Sequence, residues 1–258
     1  MNTSNPEKAQ GHWLLAKMGK KVLRPGGREL SEKMIDALDI NSNDNIVEFA
    51  PGIGKTAAYL LSKKPKNYTG VDADEDVVGN LGSKLGNEHT KFILANAAQT
   101  GLNDNSVDKL VGEAMLTMHA DHRKSEIVKE AHRILKKGGL YAIHELGLTP
   151  DGIAEDAKAE ISRELALSIK VNARPLTAEE WEEILTAEGF KIKKVFTSGM
   201  LLLERKRMIE DEGLMRSLKI GFNIMTHPQE KKRILEMRKV FRKYNDNMNA
   251  VALIAEKI

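Results

Sequence analysis

A glycine-rich segment near residue 50 carries the residue types best suited to holding a small charged ligand. It reads EFAPGIGKT from Glu48 to Thr56 and overlaps the apolar run NIVEF (45–49). A helical pattern, KTAAYLLSKK, comes directly after the glycines. In such a strand–turn–helix unit the first N–H groups of the helix face the ligand, because they lack partners within the helix. The chemistry of the chain therefore depends on which ligand the turn holds.

Three ligands compete for this turn. A phosphate-binding loop of the form G-x-x-x-x-G-K-[ST] would need its first glycine where Phe49 stands. A dinucleotide fold is compatible with Gly52, Gly54 and Ala57, which satisfy the pattern G-x-G-x-x-[GA]. The third ligand is S-adenosylmethionine, because an acidic residue such as Glu48 suits a ligand that carries an ammonium group and a sulfonium.

Five apolar, partly β-branched runs in the first 150 residues are typical of strands, and helical patterns separate most of them. The runs are NIVEF (45–49), YTGVD (68–72), KFILA (91–95), DKLVGEAM (108–115) and GGLYAIHEL (138–146). Strands that alternate with helices form right-handed βαβ units, which give a parallel sheet with helices on both faces. We therefore expect a doubly wound α/β domain, preceded by a helix over residues 31–39 with Ser31 as a possible N-cap.

The pattern changes after residue 150. A polar helical stretch at about 150–175 lacks a strand and indicates an insertion over one end of the sheet. Two strand-like runs, KIKKVFTSGMLLL (191–203) and NAVALIAEKI (249–258), bracket a helical region at about 204–247. We expect the two runs to pair at one edge of the sheet, with the intervening helices folded over the sheet's end.

The composition excludes several classes of protein. The 258 residues contain no cysteine, which rules out disulfides, thiolate metal sites and cysteine nucleophiles. No run of about 18 apolar residues occurs, and the N-terminus lacks an apolar core behind a basic end. The net charge of +3 is small for this length, so it calls for neither nucleic acid nor an anionic membrane. We expect one globular, enzyme-sized unit in the cytoplasm, without a membrane partner.

Four segments, taken in order, carry a resemblance to a known family: VEFAPGIGKTA, YTGVDAD, ILANAAQTGLNDNSVDKLVGEAMLTMH and IVKEAHRILKKGGLYAIHEL. Across roughly residues 20–150 the chain resembles the class I S-adenosylmethionine-dependent methyltransferases, in the group that includes ubiquinone and menaquinone biosynthesis methyltransferases. Ala50 stands where the first glycine of the turn is usual, Asn96 where Asp is common, and Lys137 in place of a proline. The resemblance implies a Rossmann-like, mostly parallel sheet of seven strands, with the last strand antiparallel and with helical lid insertions.

The resemblance implies that the carboxyl ends of the strands hold S-adenosylmethionine. Asp72 would accept hydrogen bonds from both ribose hydroxyls, and Ala73 would lie against the adenine. The backbone at Gly52 and Gly54 would let the methionine part come close. The full set of implied cofactor residues is Arg24, Glu48, Ala50, Gly52, Gly54, Asp72, Ala73, Asn96, Ala97, Glu113 and Ala114.

Other members of this set have distinct implied roles. Glu48 would hold the turn, or the ammonium group through water. Asn96 and Ala97 would lie near the adenine amine. Glu113 and Ala114, which leave the fourth strand, would flank the methionine part and the methyl group that is transferred.

Candidates for a catalytic base follow or lie on the predicted fourth and fifth strands. Methyl transfer is an in-line displacement, so a base is needed only if the acceptor carries a proton. His119 and His122 follow the fourth strand at the ligand end of the sheet, with surface or capping roles as the alternative. Glu145 lies on the fifth strand, and its side chain and that of His144 point to opposite faces of the sheet because side chains alternate along a strand. One of the two could reach the substrate pocket, and a buried structural role is equally open. His119 and His122 have no third metal ligand at a suitable spacing, so no metal site is predicted.

The acceptor is predicted to be a small molecule, either acidic or apolar. We expect an N-terminal helical cap (1–30), from which Arg24 faces the cofactor, and a methyltransferase domain (31–258). The cap and the insertions at about 150–175 and 204–247 would build the acceptor pocket. The last insertion is rich in Lys and Arg, but these residues cover one side of an amphipathic helical pattern, as in a solvated helix. Nucleic acid is therefore not expected as a partner. The sequence does not predict an oligomeric state.

Two other functions stay open. A nicotinamide-dependent oxidoreductase would use NAD at the same glycines, and it would need a catalytic Tyr-Lys or His arrangement that the sequence does not display. A non-catalytic S-adenosylmethionine-binding regulator or partner subunit would bind the same ligand without turning over an acceptor. Binding of NAD separates the first from a methyltransferase, and turnover separates the second.

Overall fold

Eight β-strands in residues 8–258, the part of the chain that the computed structural model describes, form one sheet. In chain order they are β1 (Asn45–Phe49), β2 (Asn67–Asp72), β3 (Thr90–Leu94), β4 (Val107–Glu113), β5 (Leu135–Leu148), β6 (Leu176–Thr177), β7 (Phe190–Gly199) and β8 (Met248–Lys257). Their spatial order is β3-β2-β1-β4-β5-β8-β7, and β6 pairs with β5 off this path. β1 to β5 are parallel to one another, whereas β8 is antiparallel to both β5 and β7. The predicted seven-stranded sheet with an antiparallel last strand is confirmed, and the two-residue β6 adds to it.

Helices cover both faces of this sheet. Those in residues 8–258 are, in chain order, α1 (Gly11–Lys17), α2 (Gly27–Asp36), α3 (Lys55–Ser62), α4 (Glu75–Leu85), α5 (Asp121–Ile134), α6 (Glu155–Ile169), α7 (Ala178–Ala187), α8 (Arg205–Glu212), α9 (Leu214–Thr226) and α10 (Pro228–Lys243). Side chains of α5 and α7 pack with Val47 and Phe49, whereas those of α2 and α3 pack with Ile46. Neighbouring residues of a strand point to opposite faces, so α5 and α7 cover one face and α2 and α3 the other. The prediction of a doubly wound domain is confirmed.

A third apolar cluster lies under helices from three distant parts of the chain. Leu14 of α1, Leu165 of α6 and Met237 of α10 are buried together with Leu146 and Leu148 of β5. These two leucines lie at the carboxyl end of β5, which runs parallel to β4. The helices therefore gather over the sheet edge to which the turn after β1 belongs.

Two element boundaries differ from the predictions. Gly26 adopts a left-handed φ of 68°, and α2 begins directly after it. Ser31 is therefore not an N-cap; it is buried inside the helix, and its hydroxyl donates to the carbonyl oxygen of Gly27 at 3.4 Å. The strand predicted over 191–203 ends at Gly199, because the apolar residues that follow it pack into the third cluster.

Within residues 8–258, no helix is both long enough and apolar enough to cross a membrane. The longest of these helices, α10, is amphipathic. Ile234, Met237 and Phe241 are buried on one side, while Lys231 and Lys239 are exposed. The first seven residues of the predicted N-terminal cap lie outside the described part of the chain.

Candidate functional site

The turn between β1 and α3 has left-handed backbone at three positions. Ala50, Gly52 and Gly54 have φ values of 53°, 54° and 77°. The Ala50 N–H donates to the carbonyl oxygen of Val71 at 2.8 Å, which ties the turn to β2. A Cβ atom at Gly54 would lie 2.5 Å from Cδ2 of Leu81 on α4, so this position favours glycine both by its φ and by its packing. The turn thus holds the end of β1 and the start of α3 against the same cleft.

This space, the polar cleft, lies at the carboxyl ends of β1, β2 and β4. Its empty volume, part of which is open to solvent, is about 890 Å³. Four acidic and three basic side chains line it together with apolar ones. The lining residues are His12, Trp13, Lys21, Leu23, Arg24, Glu48, Ala50, Pro51, Gly52, Ile53, Lys55, Thr56, Asp72, Asp74, Val77, Glu113, Ala114, Met115 and Met118.

Asp72 ends β2 with its carboxylate beside the turn. One oxygen, Oδ2, accepts the N–H of Gly52 at 3.3 Å, and the other, Oδ1, accepts the N–H of Asp74 at 3.0 Å. Burial raises the pKa of Asp72, while these backbone hydrogen bonds act in the opposite direction. A carboxylate offers about four acceptor sites. Asp72 can therefore accept further hydrogen bonds from the hydroxyl groups of a ligand.

Glu48 is buried beneath the turn, and it contributes to the cleft wall. The Tyr68 hydroxyl donates a short hydrogen bond to its Oε2. Burial raises the pKa of Glu48 to about 8, and the negative charge of Glu113 acts in the same direction. The carboxyl group is therefore mostly protonated at neutral pH in the free protein. A cationic ligand group placed beside it would favour the charged form.

Glu113, at the end of β4, is the centre of a buried polar network. Arg24 Nη1 lies 3.0 Å from its Oε2, and the Thr56 hydroxyl donates a short hydrogen bond to the same atom. Its Oε1 lies 3.0 Å from Nδ1 of His144, which in turn lies 3.2 Å from the Ser31 hydroxyl. Burial alone would raise the pKa of Glu113, but the charges and hydrogen bonds of Arg24 and His144 lower it to about 2. The charged pair fixes Arg24 against the cleft wall.

An apolar cavity adjoins the polar cleft beyond the end of β4. Its empty volume, which includes some open space, is about 670 Å³, and its wall of described residues contains no charged side chain. The lining residues are Gly11, His12, Leu15, Leu23, Pro25, Ala114, Thr117, Met118, Leu146, Leu165, Ile169, Ala173, Met200, Leu202, Met237 and Phe241. Four of them, His12, Leu23, Ala114 and Met118, also line the polar cleft, so the two spaces meet there.

Most of the residues predicted around the cofactor lie together in the polar cleft. Those that line it are Arg24, Glu48, Ala50, Gly52, Asp72, Glu113 and Ala114. Gly54 belongs to the turn but packs against α4. Ala73 and Asn96 are exposed, Ala97 packs against the core below the sheet edge, and none of the three lines the cleft. The Asn96 side-chain oxygen instead accepts the N–H of Ala98 at 2.9 Å, which closes the loop after β3.

The three predicted candidates for a base line neither space. Glu145 is fully buried, and its two oxygens accept the backbone N–H groups of residues 115–117 and the Thr117 hydroxyl at 2.7–3.1 Å. Glu145 therefore holds the loop after β4, which is the buried structural role that the sequence left open beside that of a base. His119 is half-buried in that loop, and His122 is exposed in the first turn of α5. Among the described residues, no group of three or more His, Asp or Glu side chains could hold a metal ion.

Several residues that line the polar cleft were not predicted from the sequence. Thr56 lies in the first turn of α3, and its contact with Glu113 follows from the helix position once the turn is known. Met115 and Met118 lie in the loop after β4. Because ligands bind at the carboxyl ends of such strands, their position after β4 could have indicated that they line the cleft. Asp74 caps α4 by accepting the N–H groups of residues 76 and 77, in addition to lining the cleft.

A family comparison matches the part of the chain that carries this site. Residues 47–143 match a family model described as a methyltransferase domain. This range runs from within β1 to within β5. It therefore contains the turn, Asp72 and Glu113.

Individual proteins are also similar to this chain. An uncharacterized protein of Haemophilus influenzae is 31% identical over 249 residues, which are 95% of this chain and 96% of that protein. The ubiquinone/menaquinone biosynthesis C-methyltransferase UbiE of Rickettsia prowazekii is 30% identical over 125 residues, which cover 45% of this chain and 50% of that protein. A solved structure of Haemonchus contortus phosphoethanolamine N-methyltransferase 2, in complex with phosphomonomethylethanolamine and S-adenosylhomocysteine, aligns with a TM-score of 0.69. It is 18% identical and covers 96% of this chain and 57% of that chain, so the likeness concerns the fold.

Proposed function

Since the chain belongs to the class I S-adenosylmethionine-dependent methyltransferases, we propose that it methylates a small-molecule acceptor bound in the apolar cavity. The observation that carries the proposal is the junction of two spaces at the end of β4. A polar cleft with carboxyl groups meets an apolar cavity at Ala114 and Met118. A cofactor in the cleft and an acceptor in the cavity would touch at this junction.

The chemistry of the cleft fits S-adenosylmethionine. Asp72 has acceptor capacity for ribose hydroxyls, the left-handed turn at Gly52 has no side chain that would narrow the cleft, and Glu48 offers a carboxyl group to a cation. When bound, S-adenosylmethionine supplies a methyl group on a positively charged sulfur. Glu113 and Arg24 are already paired with each other, so they shape the wall at the strand end without an unpaired charge.

The chain's own contribution to the reaction would be alignment and exclusion of water. Methyl transfer requires the nucleophile and the methyl carbon to be in line and close together. Leu23 and Met118 border the junction from two separate segments, and they offer no polar atoms that would retain water. The apolar wall, whose described residues include no charged side chain, suits a small molecule better than a polynucleotide, whose phosphates would need cationic partners.

Transfer of a labelled methyl group tests the proposal. The protein is incubated with S-adenosylmethionine labelled at the methyl carbon and with a cell extract, and label is counted in the small-molecule, RNA and protein fractions. We expect label in the small-molecule fraction, and a loss of at least about 100-fold with Asp72→Ala. Asp104→Ala, which removes an exposed carboxylate paired with Arg133, is the matched control and should retain the activity. Label in RNA alone, or S-adenosylmethionine binding without transfer in any extract, would contradict a small-molecule methyltransferase.

A further inference from the structure

The residues at the junction narrow the chemistry of the acceptor. Of the four residues that line both spaces, Leu23, Ala114 and Met118 have apolar side chains. His12 alone has a side chain that can accept a proton. Within the cavity the other polar side chain is Thr117, whose hydroxyl already donates to Glu145 at 2.7 Å.

The environment of His12 keeps its ring neutral. His12 lies on α1, and its ring centroid is 5.0 Å from that of Trp13. Burial lowers its pKa to about 4. The acidic and basic side chains that share the polar cleft wall with it are Lys21, Arg24, Glu48, Lys55, Asp72, Asp74 and Glu113, and the described wall of the cavity adds none. A neutral imidazole has one nitrogen with a free lone pair that can accept a proton, and the burial that keeps the ring neutral also makes this nitrogen a weaker base. The position of His12 at the junction, and not its pKa, is therefore what suggests the role.

The cavity wall disfavours a charged acceptor. Burying an anion without a cationic partner is strongly unfavourable, because the ion loses its hydration and gains no opposite charge in return. The basic residues of 204–247 do not supply such a partner here, because none of them lines the cavity. Arg238 and Arg242 pair with Glu204, and Lys243 pairs with Glu160 and Glu164. Of the two acceptor classes expected from the sequence, the structure therefore favours the apolar one.

We propose that the acceptor is an uncharged molecule with a mainly apolar body and one hydroxyl or N–H group, and that His12 accepts the proton which this group loses. The inference rests on the proposed function. The oxygen or nitrogen of the acceptor forms a bond to the methyl carbon, and the carbon–sulfur bond breaks with its electron pair on sulfur. The acceptor's proton passes to the free ring nitrogen of His12 and then to water when the product leaves. Atoms and charge balance, because the positive charge of the sulfonium ends on the released proton.

A matched pair of probes tests the acceptor class. The pair is 2-naphthol and 2-naphthyl phosphate, which share the ring system and differ in charge. Calorimetric titrations into the protein saturated with S-adenosylhomocysteine should show 2-naphthol binding at least about 10-fold more tightly than the phosphate. Equal or tighter binding of the phosphate, or no binding of 2-naphthol, overturns the acceptor class. Failure of S-adenosylhomocysteine itself to bind would instead contradict the proposed function.

The role of His12 has its own readout. In the 2-naphthol complex, ring nitrogen resonances of ¹⁵N-labelled histidine that disappear in His12→Gln should move on binding. Those assigned by His89→Gln should not, because the His89 side chain is 65% exposed and lines neither space. Methyl transfer to 2-naphthol should fall by about 100-fold or more in His12→Gln, because general bases contribute factors of this size, and should stay within about twofold in His89→Gln. The rate that remains in His12→Gln should rise with pH as the naphtholate forms. Unmoved His12 resonances, or equal rates in the two variants, overturn the assignment.

Discussion

Glu48 and Glu113 are two buried carboxyl groups on neighbouring strands that take opposite charge states. Burial dominates at Glu48 and raises its pKa to about 8. At Glu113 burial acts in the same direction, but Arg24 and His144 outweigh it and lower the pKa to about 2. The Glu48 carboxyl group therefore has no cationic partner among the described residues of the free protein, whereas Glu113 is paired with Arg24. Of the two carboxyl groups, only that of Glu113 is mostly charged at neutral pH.

The charge state of Glu48 predicts how stability depends on pH. Because its pKa is raised on folding, its contribution is fully present below the unfolded value of 4.5 and is lost as pH rises through about 8. Between about pH 5 and pH 8 the loss should be about 3 kcal/mol, and Glu48→Gln should remove it. Urea denaturation of both proteins across this range measures the difference. Glu113 does not interfere, because its lowered pKa affects stability below pH 4.5. Parallel pH curves for the two proteins would show that Glu48 is charged in the free protein.

Arg24 carries a prediction of its own. Its side chain is 13% exposed, and its guanidinium pairs with a Glu113 side chain that is 5% exposed. Arg24→Ala would leave a buried carboxylate without its cation, so the free energy of unfolding should fall by about 3 kcal/mol. The control is Arg28→Ala, because the Arg28 side chain is 57% exposed and its pair with Glu32 should contribute less than about 1 kcal/mol. Equal losses in the two variants would mean that the buried pair is not a significant source of stability.

At the scale of elements, the turn between β1 and α3 depends on its glycines for two reasons. The backbone at Gly54 is left-handed, with a φ of 77°, and α4 packs against the position where a side chain would begin. The turn therefore links two properties: the direction in which α3 leaves the sheet and the width of the polar cleft. A change at Gly54 should affect both.

Gly54→Ala should destabilise the protein by about 2 kcal/mol, because a left-handed non-glycine residue costs about 1–2 kcal/mol before any clash with Leu81. Gly79→Ala in α4 is the matched control: a side chain there would meet nothing within 4 Å, and alanine favours a helix. That variant should be neutral or more stable than the unchanged protein. Thermal unfolding of both variants gives the comparison, and a Gly54→Ala protein as stable as Gly79→Ala would contradict the described turn.

The order of strands and helices could be predicted from the sequence because each element carries its own periodicity. The side-chain directions of His144 and Glu145 also followed from alternation along β5. The partner of Glu145 did not, because three backbone N–H groups of the loop after β4 reach it only in the folded chain. The start of α2 was missed for a similar reason: Gly26 caps it by backbone conformation, which a polar cap pattern does not reveal.

At the scale of the whole molecule, the two spaces differ in how they are built. The polar cleft comes mainly from residues directly after β1, β2 and β4, so a local motif identified much of it. The apolar cavity comes from α1, α6, α10 and several loops, which meet only through tertiary packing. Its position could be anticipated from the three helical segments, but its uncharged wall could not. The basic charge of 204–247 does not extend to the cavity, because none of the Lys and Arg residues of this region lines it. Three of these residues, Arg238, Arg242 and Lys243, instead form ion pairs with glutamates.

We infer that the polar cleft holds S-adenosylmethionine through Asp72. The test is a set of calorimetric titrations of S-adenosylmethionine, S-adenosylhomocysteine, NAD and ATP into the unchanged protein, Asp72→Ala and Asp104→Ala. We predict that the unchanged protein and Asp104→Ala bind the first two ligands alike, and that Asp72→Ala binds them at least about 10-fold more weakly, as expected when a hydrogen bond to a charged group is lost. Binding of NAD or ATP without S-adenosylmethionine, or full binding by Asp72→Ala, would contradict the claim.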